Sequence, residues 1–221
     1  FQHPEFQRIL DWLNGQVLTK AAIDESLKNL MGHNGGPELD DETGDYVETK
    51  GVFKNVSATI DGFKYVFGTG GIHGSVKNQI VSEDDEYEIW DWDVASYYPN
   101  LGISNGFFPA HLSETFCAVN KYLYEERLRR GKKTADGAVL KLALNGVYGD
   151  SNNKYSPFYD PQYTMSITVN GQLMLCMLAE WLRRDGLTMI QINTDGLTVR
   201  VRKDAVQWMM DTCKAWEQRT G

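Results

Sequence analysis

The segment that most constrains the fold is a short stretch in which acidic residues alternate with large apolar ones. Residues 88–94 have the sequence EIWDWDV, so an extended chain places Asp91 and Asp93 on one side and Trp90 and Trp92 on the other. This period of two predicts a β-strand with one apolar and one acidic face. Carboxylates held on a rigid strand are what a site for divalent metal ions requires.

A second acidic position lies farther along the chain, in a strand–turn–strand pattern. Two extended runs, residues 187–192 and 197–201, flank the sequence NTDG at residues 193–196. Because Asp-Gly favours hairpin turns, Asp195 is predicted at the tip of a β-hairpin, and taken alone it is equally compatible with a simple turn residue. A strand end and a hairpin tip on adjacent strands can aim two carboxylates at one point. We therefore predict that Asp93 and Asp195 bind divalent metal ions together.

A lysine-bearing helix is predicted between the two acidic positions, over residues 135–148. Lys141, Asn145 and Tyr148 are spaced at i, i+4 and i+7 and share one face of this helix. A lone lysine on a helix is usually a surface residue. Together with two carboxylate positions, however, it supplies the cation that phosphoryl and nucleotidyl transfer need for the triphosphate.

Three motifs give this arrangement a family resemblance. They are DVASYYP at residues 93–99, KLALNGVYG at residues 141–149 and NTDG at residues 193–196. In this order they resemble motifs A, B and C of the family B DNA polymerases, and most closely the bacteriophage members, in which the fingers insertion is short. The resemblance covers roughly residues 64–200 and implies a template-directed DNA polymerase core that adds dNTPs to a primer 3′ end by two-metal nucleotidyl transfer.

The resemblance also implies roles for individual residues. Asp93, Asp195 and the carbonyl of Val94 would bind two Mg²⁺ ions, for which Mn²⁺ can substitute. The residues that by resemblance would bind the incoming nucleotide are Lys141, Asn145, Tyr98 and Tyr148. Arg130 and Lys133, in the basic run that precedes Lys141, are predicted to join them at the phosphates. Within this set, Tyr98 would pack beneath the sugar and exclude a ribose 2′-hydroxyl. Primer–template DNA and dNTPs are the implied partners, together with phage or host replication proteins.

Charge is distributed unevenly along the chain. The net charge of −8 alone argues against a nucleic-acid-binding protein. Residues 83–93, however, hold seven acids and no base, whereas residues 121–154 hold eight bases and four acids. An acidic centre and a basic arm suit metal ions plus a triphosphate, and one or two of Arg127, Arg130 and Lys133 would complete the phosphate contacts. A solvated charged surface is the alternative for the basic run.

Two positions depart from the family pattern. Asn193 stands where motif C of the family begins with an acid, and an amide contributes no negative charge, although it can accept a hydrogen bond or bind a metal weakly. Asp91 is a candidate to restore that charge, with a solvent-facing strand acid as the alternative. The glycine-rich residues 68–75 resemble a family segment that lies near the template strand, but Gly68 replaces its usual tyrosine.

The remaining periodicities predict an α+β fold, namely a polymerase palm built as an antiparallel sheet backed by helices, with a short helical-hairpin fingers insertion. Helices are predicted over residues 4–14, 20–31, 114–130, 135–148, 165–183 and 203–217, strands over 52–60, 63–68, 88–94, 187–192 and 197–201, and a loop over 32–48. The predicted divisions are an N-terminal helical or linker segment (1–50), the first part of the palm with motif A (51–113), the fingers hairpin with motif B (114–150) and the second part of the palm with motif C (151–221).

Other classes of protein are disfavoured by composition. No apolar run approaches the roughly 20 residues that span a bilayer, so no membrane association is predicted. Cys117, Cys176 and Cys213 have no paired spacing and are predicted to be core thiols of a protein in a reducing cytoplasm, that of the host if the protein is viral. Neither a 3′–5′ exonuclease nor a thumb is predicted within these residues, so we expect an excised core or a much-reduced polymerase.

Two other functions stay open. The first is a non-catalytic palm module that binds nucleic acid or a replication partner, with Asn193 as the first sign of decay. The second is a primase or terminal nucleotidyltransferase on a similar palm. The joint presence of Asp93, Lys141 and Asp195 disfavours decay, because a decaying site has no reason to keep all three.

Overall fold

The computed structural model describes residues 1–17, 19, 22–23, 38–39, 46–47 and 51–221. In this part of the chain the helices are α1 (Pro4–Asn14), α2 (Tyr97–Asn105), α3 (Thr115–Arg130), α4 (Ala135–Asp150), α5 (Pro161–Trp181) and α6 (Val206–Thr220), the last preceded by a 3₁₀ turn (Lys203–Ala205). The strands are β1 (Glu38–Leu39), β2 (Tyr46–Val47), β3 (Ser57–Ile60), β4 (Phe63–Phe67), β5 (Ile72–Ser75), β6 (Tyr87–Asp93), β7 (Leu187–Asn193) and β8 (Gly196–Arg202). None of these helices has both the length and the hydropathy needed to span a membrane.

A six-stranded sheet with the order β3-β4-β5-β7-β8-β6 forms the centre of the fold. Every pair of neighbouring strands in it is antiparallel, which confirms the predicted α+β class and is compatible with a polymerase palm. β6, the strand predicted from alternation, lies at one edge beside β8. Asp93 at the end of β6 pairs with Gly196 at the start of β8, so the two acidic positions of the sequence meet at one end of the sheet.

The two faces of the sheet differ in polarity. Residues paired directly across antiparallel strands point to the same face. Trp92 and Ile192 both pair with Leu197, and Ile192 and Leu197 are almost fully buried. Pairs on the opposite face are polar: Asp91–Thr198, Gln191–Thr198 and Ser75–Gln191. The prediction that Asp91 and Asp93 share a face opposite the tryptophans is therefore confirmed.

Helices pack against the apolar side of this sheet. The ring of Phe6 in α1 lies 5.0 Å from that of Tyr65 in β4, in an edge-on arrangement. Gln172 of α5 accepts the backbone N–H of Gly68, the residue that follows β4. The buried Trp216 of α6 donates its indole N–H to a carbonyl oxygen of α5 at 2.8 Å. These contacts join α1 and α5 to the sheet and α6 to α5.

The chain divides into two compact units. We call residues 1–95 and 171–220 the sheet unit, and residues 96–170 with Gly221 the helical unit. The predicted fingers hairpin, residues 114–150, lies within the helical unit as the helices α3 and α4. The predicted palm and fingers boundaries stay predictions.

Several elements differ from the sequence prediction. The strand expected over residues 52–60 begins only at Ser57, because residues 51–55 form turns in which Gly51 and Asn55 have positive φ. The helix expected over 165–183 begins earlier, at Pro161.

The N-terminal predictions are only partly covered by the structure. The helix expected over residues 20–31 lies outside the described residues apart from residues 22–23, which are helical. Within the predicted loop over 32–48, the described residues form β1 and β2, which pair with each other in antiparallel fashion. That part of the loop prediction is wrong.

The sequence does not predict α2. Pro99 is expected only to stop or turn the preceding strand, and that strand does end at Asp93. The chain then turns at Ser96, which has left-handed backbone angles (φ 53°, ψ 47°), and enters a helix. Pro99 fits the first turn of this helix, where no backbone N–H partner is needed. Gly106, with φ 66°, ends it.

Two of the three cysteines lie in the core, as predicted. Cys176 and Cys213 are free and buried, and Cys117 is free and half-buried. Burial raises the pKa of the Cys213 thiol to about 12 and that of Cys176 well above its ordinary value. Both buried thiols are therefore protonated and act as small apolar side chains.

Candidate active site

A small cavity of about 130 Å³ opens on the polar face of the sheet, where β6, β7 and β8 come together. It is lined by Asp91, Asp93, Gln191, Asn193, Asp195, Gly196, Leu197 and Thr198. Three of these residues are acidic and none is basic. Carboxylates gathered in one cavity repel each other, and a bound cation removes that repulsion.

The backbone fixes Asp93 and Asp195 close to each other. The N–H of Val94, next to Asp93, donates to the carbonyl oxygen of Asp195 at 2.9 Å. Gly196 allows the close approach, since a Cβ at this position would overlap Oδ1 of Asp93 and lie 2.8 Å from the carbonyl oxygen of Trp92. Asp195 and Gly196 therefore form part of the turn and also allow the close approach of β6.

The hairpin tip is supported from β5. Thr194, with φ 55°, donates its N–H to the carbonyl oxygen of Ile72 at 2.8 Å. A Cβ on Gly71 would lie 3.1 Å from the Thr194 side chain, so the glycine-rich segment approaches the tip closely. The Thr194 hydroxyl also donates to Oδ1 of Asn193 at 3.2 Å, so this amide oxygen helps to shape the turn.

Asp91 has a neutral hydrogen-bond donor as its neighbour. The hydroxyl of Thr198 donates to Oδ1 of Asp91 at 2.7 Å. Among the described residues, neither Asp91 nor Asp93 forms an ion pair. These carboxylates are thus not neutralised by basic side chains of the described residues.

No group of three or more His, Cys, Asp and Glu side chains within the described ranges is placed so that it could hold a metal ion by itself. Mg²⁺ is commonly bound by one or two carboxylates, with waters and substrate phosphates completing the octahedron. The carboxylates of Asp93 and Asp195, which line one cavity, fit that mode, and the carbonyl of Val94 stays a predicted third ligand. These residues do not fit a site closed by protein ligands alone.

Two predicted nucleotide-binding residues come together in the helical unit. The rings of Tyr98 in α2 and Tyr148 in α4 lie 4.5 Å apart. Burial raises the pKa of the Tyr148 hydroxyl well above its ordinary value, and the nearby Tyr98 adds to the effect, so Tyr148 is a neutral hydrogen-bonding group. On the same helix, Lys141 and Asn145 are exposed.

The two basic residues predicted to bind the nucleotide, Arg130 and Lys133, differ in their contacts. Arg130 donates to Asp136 at 2.8 Å and to Glu126 at 3.2 Å, and its charge is therefore already neutralised. Arg129 and then Arg130 lower the pKa of the Glu126 carboxyl to about 2. Lys133 is exposed in the connection between α3 and α4 and forms no ion pair within the described part of the chain. Of these two predicted phosphate contacts, Lys133 is thus the better placed.

Three residues in or near the cavity are not predicted from the sequence. Gln191 and Thr198 line it, and each lies two positions from a residue of the NTDG sequence, Asn193 or Gly196, on the same strand face. That period of two is the signal that could have found them. His73 pairs with Asn193 in the neighbouring strand, and burial lowers its pKa to about 4. It is therefore neutral at pH 7.

Comparisons with known proteins found a solved structure with a limited likeness to this chain. No family model and no curated protein matches this sequence. Among solved structures, the family B DNA polymerase from the hyperthermophilic archaeon Pyrobaculum calidifontis aligns with 62% of this chain at 17% sequence identity, with a TM-score of 0.44. The alignment covers 25% of that polymerase chain. A likeness of this size does not establish a shared activity, and the bacteriophage family B assignment stays a prediction.

Proposed function

We propose that this chain is the catalytic core of a template-directed DNA polymerase that adds dNTPs to a primer 3′ end. One observation carries this function. The acids of motif A and motif C, about a hundred positions apart in the sequence, line a single cavity that contains no basic residue. This is the arrangement that nucleotidyl transfer with divalent metals requires.

Asp93, Asp195 and the carbonyl of Val94 would hold two Mg²⁺ ions, or Mn²⁺ in their place. When bound, these ions supply positive charge for the 3′-hydroxyl and for the leaving pyrophosphate. Asp91 adds negative charge on the same strand face, where Asn193 supplies none. The Thr198 hydroxyl orients the Asp91 carboxylate through their hydrogen bond.

The helical unit would bind the nucleotide. Lys141, exposed on α4, is the first candidate for the triphosphate, with Lys133 as a second cation. Asn145 lies one turn along the same helix face. Tyr98 and Tyr148 form an aromatic pair that suits a sugar and base, with Tyr98 excluding a 2′-hydroxyl.

Arg130 could join the phosphate contacts only after its ion pairs with Glu126 and Asp136 exchange for phosphate. The partners of the reaction would be primer–template DNA and dNTPs, with phage or host replication proteins, in the cytoplasm of the host cell. A primase or terminal transferase on the same fold would differ from this in its need for primer or template.

Asn193 favours one alternative, a palm module that binds nucleic acid without catalysis. Its amide oxygen accepts the Thr194 hydroxyl, so the residue has a structural use in the turn. A chain that had lost catalysis would nevertheless have no use for three acidic residues that line one cavity.

Primer extension by the 221-residue chain, with Mg²⁺ or Mn²⁺, tests the proposed function. We expect template-dependent extension that Asp93→Asn and Asp195→Asn each reduce by about a thousandfold or more, since metal ligands supply several kcal/mol of transition-state stabilisation. Asp211→Asn, an exposed acid of α6, is the matched control and should have no effect. DNA binding without extension under either metal would support the non-catalytic alternative, and extension without template would support a terminal transferase.

A further inference from the structure

The helix α3 is anchored by a buried cation. Arg127 has only 8% of its surface exposed, and it is the single buried side chain of the helix. Helices are ordinarily anchored by an apolar stripe. Removing a guanidinium from water is unfavourable unless its donors find acceptors in well-defined positions. The contacts of Arg127 therefore indicate what this helix holds in place.

Both acceptors of Arg127 are uncharged. Its Nη1 donates to the Ser96 hydroxyl oxygen at 2.7 Å, and its Nε donates to the carbonyl oxygen of Gly137 at 3.3 Å. Within the described part of the chain Arg127 forms no ion pair, whereas the neighbouring Arg129 and Arg130 both pair with carboxylates. Arg127 thus joins two backbone segments instead of neutralising an acid.

Ser96, which accepts this hydrogen bond, has an unusual backbone conformation. Its left-handed backbone is unfavourable for a residue other than glycine and persists where the surroundings fix it. Ser96 occupies the N-cap position of α2, yet its side chain makes no capping hydrogen bond. Its hydroxyl instead accepts from Arg127. The Ser96 hydroxyl thus serves the arginine contact, while its backbone carbonyl accepts the N–H of Asn100 at the start of α2.

The two segments that Arg127 joins carry the paired tyrosines. Ser96 lies two residues before Tyr98, and Gly137 lies in the first turn of the helix that carries Tyr148. Gly137 itself is tightly packed, since a Cβ built on it would overlap the carbonyl oxygen of Gly131. Arg127 therefore bonds to the start of both tyrosine-bearing helices.

We propose that Arg127, acting through Ser96, is the positioning residue for the Tyr98–Tyr148 pair and so sets the discrimination between deoxyribonucleotides and ribonucleotides. The discrimination part rests on the proposed polymerase function. The positioning part does not, because it concerns only contacts within the helical unit. Arg127 itself touches no substrate in this role, which separates it from Lys133 and Lys141.

Hydrogen exchange of the full chain, followed by mass spectrometry, tests the positioning part. Arg127→Met keeps an apolar stem in place of the arginine methylenes and removes the guanidinium, and Ser96→Ala removes only the acceptor. In both variants we expect the amides of residues 97–105 to exchange about tenfold faster or more, the value of one hydrogen bond to a charged group. The double variant should match Arg127→Met over residues 97–105, because Arg127→Met already removes the bond to Ser96.

Arg129→Gln is the matched control, since Arg129 is an exposed arginine of the same helix. Its exchange over residues 97–105 should equal that of the wild-type chain. If Arg127→Met does not fold, Ser96→Ala decides the matter alone. Exchange in Ser96→Ala that equals the control overturns the positioning role.

Primer extension tests the discrimination part. In Ser96→Ala and Arg127→Met we expect the ratio of rNTP to dNTP incorporation to rise about tenfold, with a larger change in KM than in kcat, because Tyr98 is displaced and not removed. An unchanged ratio in variants with accelerated exchange overturns the specificity role. If the wild-type chain extends no primer, the proposed polymerase function fails, and the exchange experiment still decides the positioning role.

Discussion

The sheet unit and the helical unit differ in charge and in how they are packed. The sheet unit contains 24 acidic and 14 basic residues, and the helical unit contains six acidic and eight basic ones. Of the 31 buried hydrophobic residues in the described part of the chain, 25 belong to the sheet unit. The candidate metal ligands therefore stand on a well-packed core, whereas the candidate nucleotide-binding residues stand on helices with few buried side chains.

The difference in packing between the two units indicates how the candidate metal ligands and the candidate nucleotide-binding residues are each held in place. Asp93 and Asp195 are fixed by main-chain pairing between strands, which depends little on any one side chain. Tyr98 and Tyr148 depend on side-chain contacts, including the Arg127–Ser96 bond. Substitutions in the sheet unit should therefore change stability first, and substitutions in the helical unit should change nucleotide selection first.

The largest effect is expected from a core substitution in the sheet unit. Leu178 of α5 is fully buried, and Leu178→Ala should lower the free energy of unfolding by about 2–5 kcal/mol, through lost burial and the cavity left behind. Leu142→Ala in the helical unit, where the side chain is 73% exposed, should change it by no more than about 0.5 kcal/mol. Urea unfolding of both variants measures this, and equal losses would remove the contrast in packing.

A smaller effect should follow acidification. Burial lowers the pKa of His73 from 6.5 to about 4, so the unfolded chain binds this proton more readily than the folded chain. The contribution of His73 is complete above pH 6.5 and is lost as pH falls towards 4, which should lower the free energy of unfolding by up to about 3 kcal/mol. In His73→Gln, the free energy of unfolding measured with urea should depend less on pH across this range. Substitution of His111, an exposed histidine of the helical unit, by Gln should leave the pH dependence unchanged. The same slope in both variants would contradict the assignment.

Replacing glycine by alanine should change the free energy of unfolding in opposite directions in the two units. Gly196→Ala places a methyl group against the Asp93 carboxylate and should destabilise the chain by about 1–3 kcal/mol. Gly146→Ala places one on a helix position with no atom within 4 Å and should stabilise it by about 0.4–1 kcal/mol. Thermal or urea unfolding gives both values, and a neutral Gly196→Ala would show that the sheet end is less tightly built than described.

Much of the fold follows from periodicity in the sequence. The alternation over residues 88–94 gives β6 to within one residue, and the strand–turn–strand pattern gives β7 and β8. The helix α2 is not predicted, because it begins after Ser96, whose left-handed backbone is a tertiary feature that no local sequence pattern indicates. The strand expected from residue 52 fails for a related reason, since Asn55 also turns with positive φ.

The candidate site is predictable where it depends on main-chain geometry. That Asp91 and Asp93 share one face follows from strand pleating alone. The neutralisation of Arg130 depends on which carboxylates its side chain reaches, and of its two partners only Glu126, one helical turn earlier, has a spacing that sequence can suggest. The buried position of Arg127 depends on Ser96, which lies far away in sequence.

Direct measurement of Mn²⁺ binding tests the central claim, that Asp93 and Asp195 form one cation site. Titration of the 221-residue chain with Mn²⁺, followed by the electron paramagnetic resonance signal of the free ion, gives the affinity. We expect Asp93→Asn and Asp195→Asn each to weaken binding by about tenfold or more, because affinity at oxygen sites follows the number of ligand charges, and Asp211→Asn to leave it unchanged. Binding in both site variants that equals that of the wild-type chain would contradict the claim.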